Sequence, residues 1–160
     1  MLMASSILSP SSTLLPNTSA ALSLIPLTAG TYTILQPRPG LEAFGLTLPS
    51  PETSTSANNS TNKLISSFAH IYGIRNLASS VLTLAFWVQV LRSRPVFRPA
   101  WLQALGLSMI TQAALPLVDG LVVRSQGLQG GWEHLLSAPV FVALGATLWQ
   151  MGVPAPAYRV

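Results

Sequence analysis

Between Lys63 and Arg92 the chain reads LISSFAHIYGIRNLASSVLTLAFWVQVL, and its only charged residue is Arg75. About 20 apolar residues in helical form cross the hydrocarbon core of a bilayer, so this stretch is long enough to span one. An arginine so far from either end costs roughly 2.5 kcal/mol or more on insertion, and such residues face a bundle interior and a partner. A membrane helix carrying a buried charge is therefore the reading from which the other segments are oriented.

Charge is scarce elsewhere too. Only 8% of the residues are charged, against about 25% in ordinary soluble domains, and the mean hydropathy is +0.50. Such a chain cannot clothe a surface facing water, and 160 residues suit one membrane domain. The net charge of +4 is not arranged as a basic face interleaved with aromatics, which argues against a nucleic-acid partner. Without cysteine, disulfides, thiolate metal sites and cysteine nucleophiles are excluded.

The expected fold is all-α: a four-transmembrane-helix bundle, up-down-up-down, with a disordered N-terminal tail and a polar first loop. Apolar segments place the spans at about 20–36, 66–90, 100–123 and 132–152, within one membrane domain over 20–152. Residues 1–19 are rich in Ser, Thr and Pro and lack the basic region of a secretory signal, so they read as an uncleaved tail. The first span is interrupted by Pro26 and Gly30, which membrane helices tolerate when neighbours satisfy the freed backbone groups. After it, prolines at 37, 39, 49 and 51 forbid a continuous helix, leaving LEAFGL as a short interfacial turn.

ETSTSANNSTNK then reads as a solvated loop. It carries overlapping acceptor triplets at Asn58 and Asn59, which become glycosylation sites only in a lumenal or extracellular loop. The third span contains Pro116 and Gly120, and the fourth has Trp132 and Trp149 near its ends, where aromatic belts sit. Residues 153–160 form a Pro-rich tail.

Four spans bring both termini to one side. That side would hold Arg92, Arg94, Arg98 and Arg159, whereas the other holds Arg38, Lys63 and Arg124. By the positive-inside rule, the dense arginine connection and both termini are cytosolic, in the endoplasmic reticulum or another endomembrane.

The same topology gathers Glu42, His70, Arg75, Asp119, Arg124, Glu133 and His134 toward the opposite side. Arg75 lies roughly 15 Å into its helix and Asp119 roughly 6 Å inside its own helix end, within reach of a long arginine. Tyr72, Arg75, Asn76, Ser79, Ser80 and Thr83 recur at helical spacing on one face, as do Ser108, Thr111, Gln112 and Asp119, and more briefly His134 and Ser137. His70 falls on another face. Two readings stay open. Polar stripes serve as interhelical glue, worth about 0.6 kcal/mol per hydrogen bond, or they line a pocket for a lipophilic molecule. In the second case Asp119 and His134 are the candidate acid and base, with Arg75, Asn76, Tyr72, Gln112 and Glu133 completing the cluster.

Other chemistry lacks support. No HxxxH or HxxE spacing sets metal ligands on one face, so neither metal nor cofactor is expected. The glycines at 127, 130 and 131 lack the strand and lysine of a phosphate loop, and no GxSxG frames a serine nucleophile. Small residues at Gly106 and Ser108, and at Gly145 and Ala146, read as sites of close helix packing.

YGIRNLASSVLTLAF on the second span, ALPLVDGLVVRSQG at the end of the third and the early histidine of the fourth resemble the small four-helix integral membrane proteins of fungal genomes grouped as a domain of unknown function. PRPGLEAFGLTLP is similar to that family's proline and Phe-Gly-Leu-Pro segment, and the likeness runs over roughly residues 22–150. Arg75, Asp119 and His134 match its recurrent polar positions. Asn76 stands where aspartate is commoner, and residues 52–62 look like an insertion. The resemblance implies a lipophilic natural product as ligand, since such proteins are sometimes encoded beside secondary-metabolite genes. The expected partners are the bilayer and a lipophilic small molecule. The activity is either accessory or that of a membrane-embedded isomerase, cyclase or hydrolase.

Overall fold

A chain with long apolar segments and only 8% charged residues must satisfy its own backbone, and the computed structural model does so with helices alone among the described residues. Those residues are 9–46, 48, 56–125 and 132–153, excluding the side chains of 56–59, 61, 133 and 134. Five helices follow one another: α1 Leu14–Leu35, α2 Pro37–Ala43, α3 Ser56–Arg92, α4 Arg98–Ser125 and α5 Trp132–Met151.

Three of these differ from the sequence expectation. α1 starts at Leu14, inside the expected tail, with Pro16 in its first turn, where a missing N–H costs nothing. At its end Gln36 leaves helical geometry (φ −132°, ψ 79°) because Pro37 follows it. Pro37 then opens α2, a fifth helix where only a turn was expected, and Gly45 closes it at φ 83°.

The third difference is α3, which begins at Ser56 and absorbs the start of the expected polar loop. No Pro or Gly lies between Ser56 and Gly73, so a helix nucleated by the apolar stretch extends cheaply through polar residues. Asn58 and Asn59 therefore stand on helical backbone rather than in a loop, and their side chains lie outside the described set. At 37 residues α3 is about 55 Å long, well beyond a hydrocarbon core of about 30 Å.

The long helices alternate in direction and pair unequally. α1 packs on α3 and α4 on α5, each along most of their length, α3 and α4 join the two pairs, and α1 touches α5 only sparingly. Glycines make both strong pairings possible. A Cβ on Gly30 would lie 2.7 Å from the Gly73 carbonyl oxygen, and one on Gly73 equally close to that of Gly30. Gly106 and Gly145 repeat the arrangement at 2.5 and 2.6 Å. Backbones that meet this closely gain dispersion contacts that lipid tails cannot match. Ala146, expected at this contact, faces outward.

The surface is apolar and much of the interior is hydroxylic. Ile25, Leu35, Ile71, Ile74, Val118 and Leu136 are exposed, whereas Ser19, Ser23, Thr33, Ser80 and Thr83 have no accessible surface. Many of these hydroxyls return to their own helix: Ser19 donates to the Pro16 carbonyl (2.7 Å), Ser23 to Ser19 (2.8 Å) and Thr33 to Ala29 (2.8 Å). Three helices, Leu14–Leu35, Asn62–Arg92 and Arg98–Ser125, are long and apolar enough to cross a membrane, and Leu135–Met151 is a shorter apolar helix. These features make the chain a small membrane-type helical protein.

The core is lopsided. Val90, Leu102, Leu105, Met109, Leu144, Leu148 and Met151 fill the half of the bundle nearest the arginine connection. There Arg98 also donates to the Pro10 carbonyl at 2.7 Å and the Ser12 carbonyl at 3.0 Å, tying the start of α1 to the start of α4. The other half holds the Arg75–Asp119 pair. Gly106→Val should destabilise the bundle by about 2 kcal/mol or more through overpacking, while Ala146→Val should change it by less than about 0.5 kcal/mol. Unfolding of the purified protein in mixed micelles against SDS fraction checks the contrast.

Candidate ligand cavity

In the half without the apolar core, each long helix turns one short stripe toward a shared space. α1 presents Leu22, Ile25, Pro26 and Ala29, α4 presents Gln112, Leu115, Pro116 and Asp119, α5 presents Ser137, Val140 and Phe141, and α3 presents Tyr72 and Asn76. The spacings of three and four are those of one helical face. Together with Phe44, just after α2, they enclose a partly open cavity of about 290 Å³. It lies at the loose α1/α5 seam, where Ile25 is 63% and Val140 52% exposed.

One wall is polar and internally connected. The Arg75 Nη2 donates to both oxygens of Asp119, at 2.8 and 3.0 Å, which ties α3 to α4. The Arg75 guanidinium also lies 4.6 Å from the centre of the Tyr72 ring, and Phe44 packs on that ring at the same centroid distance. Asp119 and Asn76 both neighbour the Tyr72 hydroxyl. A carboxylate only accepts, so toward Asp119 the Tyr72 hydroxyl can act only as a donor. The Arg75 Nε is buried without a partner among the described residues, because the ion pair uses the terminal nitrogen alone.

Beneath this lies a second network. The Gln112 amide donates to the Ser79 carbonyl at 3.1 Å and to the Thr83 hydroxyl, and Thr83 in turn meets the Ser108 hydroxyl at 2.6 Å. Because the Ser79 carbonyl can only accept, the orientation of the Gln112 amide is fixed. The α3/α4 interface is therefore joined by polar contacts rather than by glycines.

Of the residues singled out in the sequence, Arg75, Asp119, Tyr72, Asn76 and Gln112 come together here. Others at the same end do not join them. Glu42 pairs with Arg38 at 3.7 Å on the surface, exposed His70 bonds the Ser66 carbonyl of its own helix at 2.6 Å, and Arg124 lies over the Trp132 ring at 4.1 Å. Thr111, expected in the inward stripe, is exposed and returns its hydroxyl to the Ser108 carbonyl. Glu133 and His134 occupy the first turn of α5, and their side chains lie outside the described residues. Among the described residues, no three of His, Cys, Asp and Glu converge as metal ligands.

The apolar walls escaped sequence reading. Ile25, Val140 and Phe141 look no different from neighbours that face outward, because both environments are apolar. Phe44 was hidden in a segment expected to be only a turn.

An all-α protein with an apolar exterior and a partly open, largely apolar cavity bearing one polar wall is the class these features define. Residues 23–148 match the model of a domain of unknown function, DUF4267, and the chain belongs to that family. No match was found among curated proteins or solved structures.

Removing one member of the ion pair strands the other in an apolar surround. Arg75→Met or Asp119→Leu alone should therefore destabilise by about 2 kcal/mol or more, the pair being only partly buried. The exchange variant, Arg75→Asp with Asp119→Arg, should recover part of that loss if pairing is the chief role. Steady-state protein level and SDS unfolding of all three variants provide the measurement.

Proposed function

We propose that this chain is a four-span integral membrane protein whose cavity holds a lipophilic small molecule taken laterally from the bilayer. The cavity itself carries the reading: its walls are mostly apolar side chains, all its polar groups but Ser137 lie on α3 and α4, and its rim of Ile25 and Val140 faces outward. Ligand pockets commonly have this composition, a largely hydrophobic lining with a few placed polar groups. Its volume is about twice that of the ~150 Å³ apolar cavity that accepts benzene in another protein. The setting we assign is an accessory role in making a lipophilic secondary metabolite, because such a product shares the cavity's chemistry.

Solvent extraction of the purified protein should release a lipophilic compound in near-stoichiometric amount. Val140→Trp, which fills the rim, should lower the yield at least fivefold. Equal yields from both proteins would remove the reading.

Asp119 on the cavity wall favours a second reading, a membrane-embedded isomerase, cyclase or hydrolase with Asp119 and His134 as acid and base. In that case the compound recovered from Asp119→Asn protein would differ chemically from that recovered from the wild type.

The fourth span in this proposal is α5, which at 20 residues equals the usual minimum. We assign the protein to the endoplasmic reticulum or a related endomembrane, with both termini in the cytosol beside exposed Arg92 and Arg94. The Arg98 contacts, which hold the start of α1 at that same end, support a shared side. Tags at either terminus should be digested by protease in intact microsomes, and an acceptor site engineered ahead of Ser56 should gain glycan. The opposite pattern reverses the orientation.

A further inference from the structure

The hydrogen-bonding capacity left around the cavity is strongly biased, and the bias identifies the head group of a ligand. Gln112 has engaged both amide hydrogens, on Ser79 and Thr83, so it can offer the cavity only its carbonyl oxygen. The single O–H of Tyr72 has the Asp119 carboxylate beside it as an acceptor. Asp119 accepts from Arg75 at both oxygens, yet a carboxylate has about four acceptor sites, so at least one remains even with Tyr72 as a further neighbour.

The backbone adds to the excess of acceptors. Pro26 and Pro116 have no N–H, so the carbonyls of Leu22 and Gln112, one turn earlier, lose the donor an unbroken helix would supply. All four of these residues line the cavity. Against these acceptors the lining offers few donors: the Asn76 amide, and the Ser137 hydroxyl, which has a partner of its own.

Charge narrows the choice further. Asp119 is already balanced by Arg75 at 2.8 Å, so an ammonium head would meet an arginine without gaining an unpaired anion. A carboxylate head would meet the charge of Asp119, and the unpartnered Arg75 Nε belongs to a guanidinium already balanced by that aspartate and is not among the lining groups.

We infer that the cavity selects a neutral hydroxyl, an alcohol or phenol on an apolar body of about a dozen heavy atoms, which donates to the Gln112 carbonyl or Asp119 and accepts from Asn76. This rests on the lipophilic-ligand reading above and specifies its chemistry. Ethers and ketones only accept, so they leave those buried acceptors without hydrogens, a loss that sites built to bind a hydroxyl discriminate strongly.

The test uses wild-type, full-length protein in nanodiscs and a photoactivatable probe, an undecanol with a mid-chain diazirine. Labelling should be saturable and map to peptides containing Ile25, Val140 or Phe141. Undecan-1-ol should compete at least tenfold better than its methyl ether, undecan-2-one or undecylamine at equal concentration in the lipid. If the ether or ketone competes as well as the alcohol, the donor accounting is wrong although the cavity still binds lipophilic molecules. If the amine competes as well or better, Asp119 acts as an unbalanced anion and the neutral-head inference fails. If labelling of those peptides is not saturable, the inference fails together with the ligand reading, as unchanged extraction yields would show independently.

Discussion

In an apolar solvent every polar group must find its partner inside the protein, and that constraint organises this structure. Serines and threonines of α1 and α3 return their hydroxyls to carbonyls three or four residues earlier. What cannot be satisfied within one helix is satisfied between α3 and α4, where Arg75 meets Asp119 and Gln112 reaches Ser79 and Thr83. The polar interior and apolar exterior thus have a single cause. An unpaired amide or carboxylate facing lipid is costly, whereas an exposed leucine is not.

The interfaces divide the work. Two glycine pairs bring α1 against α3 and α4 against α5 at backbone contact, and polar bonds hold the two halves together. The fourth seam, between α1 and α5, has neither device. Four helices in a ring with three strong seams leave the fourth as the place where space remains, and the cavity is found there. Prolines 26, 116 and 139 fall in the stretches of α1, α4 and α5 around it, where a kinked helix cannot follow its neighbour closely.

Within the cavity, the ion pair sets more than stability. Arg75 neutralises Asp119 and lies against the Tyr72 ring. The wall offered to a ligand is consequently polar but nearly uncharged and dominated by acceptors. A wall of this kind distinguishes molecules by whether they can give a hydrogen, which is the basis of the selectivity we propose.

Much of this was legible in the residues themselves. A lone arginine in a long apolar run requires a partner, and the alternating direction of the helices made Asp119 the natural one. Helical spacing put Tyr72 and Asn76 on one face and Gln112 and Asp119 on another, because the period of the α-helix is fixed whatever surrounds it. Gly106 and Gly145 were readable as packing sites since a missing side chain means close approach. Gly30 and Gly73 were not paired in advance, as Gly30 beside Pro26 also reads as an interruption. The extension of α3 back to Ser56 was equally hidden, because polar composition resembles a loop when nothing breaks the helix. Which apolar residues face the cavity was decided by tertiary structure alone: lipid and an apolar cavity solvate Ile25, Val140 and Phe141 alike, so only the packing of four helices distinguishes inside from outside.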